Sequence, residues 1–524
     1  MNVQLDEKPI TKTGDKPTAI VVGAGFGGIA LAIRLQSMGF QTTMIDKRDK
    51  PGGRAYVYEE KGYKFDGGPT VITDPNCLRE LFELSGRNMD DYVTLLPVDP
   101  FYRLQWEDGD TFDYNNDDEF LMEQIRDRNP DDVAGYYKFL DYSKELYREG
   151  YEKLGTTAFL KMRQMFAAAP QLVRLRADRS VYSMVSKFVK NERVRQLLSF
   201  QSLLVGGNPF KTSSIYALIH ALERRDGVWF AKGGTGALVR GMVQLFEDLG
   251  GEIRLSSEVA DIHTDGDRVT GVTTQDGWTG YADLVCSNAD VVHTYSKLLA
   301  GHKRGPSYAK SLKRKSHSMS LFVIYFGLKA KHPDMKHHII LLGNRYKELI
   351  AEIFGKGKKL PDDFSLYLHA PSVTDDSLAP EGCSAYYVLS PVPHLGNADI
   401  DWDVVGPQYT DKILDYLEKH SIPNLRRDLD VVKTLTPFGF RDDLNSHLGS
   451  AFSVEPILTQ SAWFRPHNRD DKIGNMYIVG AGTHPGAGVP GVVGAAKATA
   501  GVIEQDFDGV LSAYKASSGW PSNR

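Results

Sequence analysis

Ala19-Ile-Val-Val-Gly-Ala-Gly-Phe-Gly-Gly28 is the stretch that decides the fold. The apolar run Thr18 to Val22 reads as a buried strand, and residues 28–38 carry helical periodicity that stops at Gly39. Thr42 to Ile45 reads as a second strand ending at Asp46, which makes a βαβ start. Each glycine has a reason: Gly23 allows the tight turn, Gly25, next to Ala24, lets the backbone approach a pyrophosphate, and Gly28 lets helix and strand pack closely. The helix start offers free N–H groups to phosphate. Asp46, about 20 residues beyond the turn, is placed to accept from a ribose hydroxyl. It speaks against a 2′-phosphate, whereas Lys47 and Arg48 beside it leave room for one.

A matching device closes the chain: Tyr477-Ile-Val-Gly-Ala-Gly-Thr-His-Pro-Gly-Ala-Gly-Val-Pro-Gly-Val-Val-Gly494. An apolar strand enters a glycine turn, and Pro490 suits the first turn of a helix. A site built from both ends of a chain is more specific than either loop alone. It predicts a bound flavin, with the adenine end near residue 25 and the ring near residue 485. Gly482, Gly491 and Val492 are expected on the cofactor, with His484 and Pro490 near the ring or substrate. A helix start aimed at the ring stabilises the negative charge of reduced flavin.

With 524 residues the chain is too long for a single core, and its net charge of −5 includes no block of Lys and Arg of the kind that binds nucleic acid. Three scattered cysteines fit a reducing cytoplasm rather than a disulfide framework. The polar N-terminus lacks a signal-peptide pattern, and no run of about 18 apolar residues is present, so membrane contact is expected to be peripheral. The doublet His337-His338 reads as surface, and no metal site is expected. Nothing in the sequence sets the oligomeric state.

Between the two glycine turns, residues 76–222 read as mostly helical. Short strands follow at 252–255, 259–263, 269–274 and 282–287, with Asp-Gly turns at 265–266 and 276–277. Further strands are expected at 320–328 and 385–391, and a helix at 411–418.

Asp49-Lys-Pro-Gly-Gly-Arg54-Ala55, Phe65-Asp-Gly-Gly-Pro69 and Phe230-Ala-Lys-Gly-Gly-Thr-Gly236 resemble loops of the flavin amine-oxidase superfamily. Ser461-Ala-Trp-Phe-Arg-Pro-His-Asn-Arg-Asp470, together with 477–500, is similar to the C-terminal motif of bacterial and fungal type phytoene desaturases. The resemblance implies an α/β fold: a Rossmann-like FAD-binding domain (17–75, 226–300 and 436–510) with an interleaved α+β substrate domain (76–225 and 301–435). It also implies a helical membrane-facing portion near 150–190; at the ends of the chain, polar residues 1–16 read as a disordered leader and 511–524 as a tail. It adds Gly53, Arg54, Gly68 and Val259 to the FAD-binding set.

Phe139-Leu-Asp141-Tyr-Ser-Lys144 resembles an Asp-x-x-Arg pair of that family with Lys in place of Arg, so Asp141 and Lys144 are catalytic candidates. Phe159, Met162 and Phe166, with Met165, Ala169, Leu172 and Val173, give an apolar stripe, and Arg174 and Arg176 give charge suited to an anionic bilayer. The implied activity is FAD-dependent desaturation of membrane-dissolved 15-cis-phytoene to all-trans-lycopene at the cytoplasmic face, with quinone or oxygen as electron acceptor. Desaturation of another carotenoid, amine oxidation, and lipid carriage of the GDP-dissociation-inhibitor type remain alternatives at this point.

Overall fold

The computed structural model describes residues 15–355, 357 and 359–518. The expected leader falls almost wholly outside the described residues, as do 519–524 of the expected tail. Residues 511–518 belong to a helix, Asp508–Ser518.

The N-terminal strand Thr18–Val22 is the centre of a five-stranded parallel sheet. It lies between Leu284–Ser287 and Gln41–Ile45, with Met476–Ile478 and Glu252–Arg254 at the edges. Its side chains alternate as the strand period requires. Ala19 and Val21 pack under the helices Phe26–Met38, Thr235–Asp248 and Val489–Asp506. Ile20 and Val22 face a three-stranded antiparallel sheet, Val259–Asp265, Arg268–Thr274 and Thr279–Tyr281. Covered on both faces, the strand reads as continuous apolar sequence. Gly39, at φ 110°, ends the first helix in a left-handed turn that a side chain would strain.

A second sheet has seven strands in the order 429–435, 320–328, 384–392, 366–369, 338–342, 102–106 and 111–114. Ser320–Leu328 is buried at every position because both faces are covered. Phe322, Ile324 and Phe326 pack on the helix Trp402–His420, and Leu321, Val323 and Tyr325 face the helical layer drawn from 118–226.

Two expectations are corrected. The 76–222 region contributes the strands Leu95–Pro97, Tyr102–Trp106 and Thr111–Tyr114. Tyr102, Leu104 and Trp106 alternate with half-buried Arg103 and Gln105, a period-two signal obscured by the helices that follow. The helix expected at 411–418 spans 402–420, with Pro407 inside it, where the ring removes the N–H that would bond the carbonyl of Asp403.

Glu80, on the helix Pro75–Glu83, ties the two ends of the chain together. Its carboxylate meets Arg34 of the first glycine helix at 2.9 Å and Lys497 of the last helix at 2.7 Å. Partial burial pushes its pKa up, but Arg34 and Lys497 outweigh this and hold it below the ordinary value. Such a group contributes stability above its unfolded pKa of about 4.3, lost as pH falls through the lower folded value. Glu80→Gln is expected to cost about 1 kcal/mol at neutral pH, kept small by solvent screening of the half-open pair. The difference from wild type should shrink below about pH 4, as urea unfolding at both pH values will measure.

Candidate functional site

Three strand ends, Val22, Ile45 and Ser287, meet at the carboxyl edge of the parallel sheet, where open α/β folds bind ligands. The first glycine turn is held there by backbone bonds. Gly23 N–H donates to Ile45 O at 2.7 Å, and Gly52 N–H donates to Ala24 O at 2.7 Å. Asn288, directly after the third strand, fills the centre. Its N–H donates to Val22 O at 2.8 Å and its side-chain amide to Gly23 O at 3.2 Å. A Cβ on Gly28 would stand 2.0 Å from Gly23 O, and one on Gly27 or Gly480 would stand 2.8 or 2.4 Å from Asn288 Oδ1. The two glycine turns are therefore packed against one side chain that the motif reading missed. Its available signal was position: an Asn closing a fully buried strand.

A cavity of about 500 Å³ opens from this edge. It is lined by Gly23, Gly25, Asp46, Lys47, Gly53, Arg54, Gly68 and Val259 at one end, and by His484, Pro490, Gly491 and Val492 further along. Both glycine helices, Phe26–Met38 and Val489–Asp506, begin on its wall after a glycine N-cap with no side-chain cap. Two sets of free N–H groups thus face one space, an arrangement suited to phosphate at one end and a developing negative charge at the other.

The side chains on this wall leave polar atoms without protein partners. Arg54 is partly buried, donates to Ser446 Oγ at 3.1 Å, and leaves a buried Nε unbonded. Burial lowers its pKa and Asp290 raises it; Asp290 Oδ2 is also buried without a partner. Asp46 accepts from Ala24 N–H at 2.6 Å and Arg48 N–H at 2.9 Å, so it braces the glycine turn and keeps lone pairs for a ribose. Burial pushes its pKa up, against the bonds from Arg48 and Ala24. Lys47 reaches away to Asp442 O at 2.7 Å. Such orphaned atoms fit a polar, dinucleotide-sized cofactor.

Other candidates fall elsewhere. Gly482 does not line the cavity; its Cβ would stand 2.4 Å from Val291 Cγ1, so packing requires the glycine. Gly68 lines the cavity, and its Cβ would stand 2.3 Å from Arg54 O. His484 donates from Nε2 to Leu154 O at 2.8 Å and leaves Nδ1 free, and burial lowers its pKa to about 4. Asp141 and Lys144 form a 3.3 Å ion pair with side chains 78% and 60% exposed, outside the cavity lining. The helix Asp131–Leu146 turns them to solvent, so the fold gives the pair no access to the site.

The membrane stripe divides. Phe159 is buried edge-on against the His484 ring, 4.9 Å away, and belongs to the cavity wall rather than the outer surface. On the helix Met162–Arg174, Met165 and Leu172 line the cavity, whereas Phe166 and Val173 are each 70% exposed and Met162 is partly exposed. Arg174 and Arg176 are exposed and paired with Glu145 and Asp178.

His337 and His338 are buried, which corrects the surface reading. With His369 they form a cluster in which His337 Nε2 lies 3.0 Å from His369 Nε2, His337 Nδ1 bonds Thr374 Oγ1, and His338 Nδ1 bonds Tyr367 Oη. The doublet opens the buried strand His338–Leu342 although charged residues precede it, and burial lowers the pKa of all three histidines. The 461–470 motif acts as a prop. Buried Arg465 donates to Val454 O at 2.9 Å and to Ala481 O at 2.7 Å, and Asn468 donates to Thr499 of the last helix at 3.0 Å.

A parallel sheet with two glycine-capped helix starts on one apolar cavity defines a dinucleotide-binding flavoprotein oxidoreductase. The chain belongs to the flavin containing amine oxidoreductase family, whose profile matches residues 26–503. It is 62% identical to a phytoene desaturase (lycopene-forming) of Paracoccus sp., over 94% of this chain and 98% of that one. A second phytoene desaturase (lycopene-forming), from Pantoea ananas, is 59% identical over 94% of this chain and 100% of its own. Among solved structures, an oxidoreductase from Methanosarcina mazei superposes with a TM-score of 0.63 at 15% identity, covering 93% of this chain and 100% of that one, and shows the shared fold.

Gly25→Val is expected to abolish flavin retention. Its Cβ would lie 3.0 Å from Asn288 Nδ2, and the rest of the side chain must displace Asn288 or enter the cavity. Flavin absorbance after gel filtration measures the effect; a yellow variant would count against the N-terminal cradle.

Proposed function

We infer that the protein is an FAD-dependent desaturase that converts 15-cis-phytoene through successive dehydrogenations to all-trans-lycopene. The observation that carries this reading is the single cavity, polar and glycine-lined at one end, walled by Leu203, Leu204, Ile215, Leu218 and Leu222 at the other, in a chain so close to lycopene-forming relatives. A hydrocarbon offers no group for hydrogen bonding, so shape and apolar burial must hold it.

The residues present fit FAD. The start of Phe26–Met38 would take the pyrophosphate, Asp46 the ribose, and Val259 the adenine end; Arg54 and the start of Val489–Asp506 would hold the ring end. Bound there, FAD supplies the two-electron oxidation by accepting hydride. The protein orients the chain, excludes water and stabilises charge. His484, neutral because burial depresses its pKa, adds no positive charge beside the hydrocarbon.

Among the described residues no helix is long and apolar enough to cross a membrane. Phytoene therefore reaches the cavity from a bilayer touched at its surface. The helix Met162–Arg174 suits this, since one face lines the cavity and the next exposes Phe166 and Val173 beside Arg174. The protein works at the cytoplasmic face, and quinone or oxygen reoxidises the flavin.

Purified protein with FAD and phytoene liposomes should yield lycopene by chromatography; neurosporene as sole end product, or undiminished phytoene, refutes the assignment. Phe166→Asp with Val173→Asp should weaken liposome flotation by about tenfold or more, since two apolar side chains lose their burial. Flavin content should stay at the wild-type level, and unchanged flotation would remove this helix from the membrane surface.

A further inference from the structure

The apolar end of the cavity contains a carboxyl group that a hydrocarbon binder does not need for binding. Glu223, on the helix Leu218–Asp226, is fully buried and lines the cavity beside Leu222. Its Oε1 accepts from Tyr102 Oη at 2.8 Å, while Oε2 is buried without a partner. Leaving such an oxygen unbonded costs about 1–3 kcal/mol, so its place in an apolar wall calls for a function.

Two further observations give it one. The wall is shared with the loop Gly67–Thr70: Thr70 Oγ1 bonds Tyr367 and Tyr387, and Tyr367 Oη bonds His338, whose ring lies 5.8 Å from that of Tyr102. A polar chain also continues behind Glu223. Gln201 adjoins both Glu223 and His220 Nε2, the latter at 3.4 Å, and His220 Nδ1 bonds Tyr114 Oη at 2.6 Å.

We propose that Glu223 accepts the proton that each desaturation releases, and that Gln201, His220 and Tyr114 form the polar route behind it. The proposal rests on the desaturase reading. Forming a C=C bond from CH–CH removes two electrons with one hydrogen, which the flavin of this family takes up as hydride. The neighbouring C–H bond then breaks, its electron pair becomes the second carbon–carbon bond, and its proton passes to the Glu223 carboxylate. Burial pushes the Glu223 pKa up to about 8, against the bond from Tyr102 and the influence of the neighbouring Gln201 amide. The groups around it are Tyr102 and Gln201, with His220, Tyr114 and Tyr136 behind, and the Arg224 guanidinium that acts on His220 is itself paired with Asp118. Its ionised fraction, and with it proton uptake, therefore increases from about pH 6 to about pH 9.

Glu223→Gln keeps the shape and an acceptor for Tyr102. It is expected to retain flavin and to lose phytoene turnover about 100-fold or more, the usual weight of a general base. The infrared band of a buried carboxylic acid, titrating between about pH 6 and about pH 9 in wild type, should vanish in the Gln variant. Glu223→Asp should keep a pH-dependent rate. Wild-type turnover with an equally fast, flavin-loaded Gln variant overturns the proposal. Wild type that leaves phytoene untouched overturns the desaturase reading and with it the proposal. Should the Gln variant not fold, the wild-type profile decides: a rate that climbs over this range supports the assignment, and a flat one overturns it.

Discussion

Asn288 is the constraint on which the rest of the structure depends. The N-terminal and C-terminal glycine turns both come within contact of its side chain, and a single methyl group at Gly27, Gly28 or Gly480 would collide with it or with the turn it holds. Close packing of backbone on backbone brings two helix starts to one space. Without it the start of Phe26–Met38 would still face a phosphate, but the start of Val489–Asp506 would not share its cavity. Glu80 secures the same arrangement from the far side of the helices through Arg34 and Lys497.

The second sheet sets the other half of the problem. Alternation along Ser320–Leu328 sends Leu321 and Val323 to the cavity and Phe322 and Ile324 to the helix Trp402–His420. A floor of apolar side chains results, roofed by helices from the 118–226 region, among them Met162–Arg174, whose Met165 and Leu172 line the same cavity.

What the sequence revealed follows from where the physics is local. A tight turn next to a buried strand demands glycine, so both glycine turns, the first βαβ unit and the Asp-Gly hairpins were legible. Asn288, Asp290, Arg465 and Glu223 were not, because their roles are fixed by tertiary neighbours rather than by the residues on either side: Asn288 by Gly23, Glu223 by Tyr102, Arg465 by backbone carbonyls on two other loops. The 461–470 motif illustrates the difference: it was recognisable as a string, yet Arg465 serves by gripping Val454 and Ala481, which no spacing could reveal. Phe159 and the His337–His338 pair failed for a related reason, since burial is set by what packs on them. Asp141 and Lys144 share a helix face as their spacing requires, and that face is the one turned to solvent.

One cavity that takes both a charged dinucleotide and a hydrocarbon must keep its charges at one end. The glycine-lined end holds Lys47, Arg48, Arg54, Asp46 and Asp290, where helix starts and paired bonds support ionised groups. Beyond His484 the polar groups are neutral at physiological pH: burial depresses the pKa values of His484 and His220, and the tyrosines Tyr102 and Tyr367, neutral there in any case, have theirs raised. A fixed charge there would gain nothing from the substrate and would carry its full desolvation cost. Glu223 obeys the same rule, being mostly protonated at neutral pH, yet its pKa lies near enough to neutrality for the group to change state. Desolvation thus does two things in this fold. It makes the substrate end apolar enough for a carotenoid precursor, and it brings a carboxyl group into the range where a proton can be exchanged.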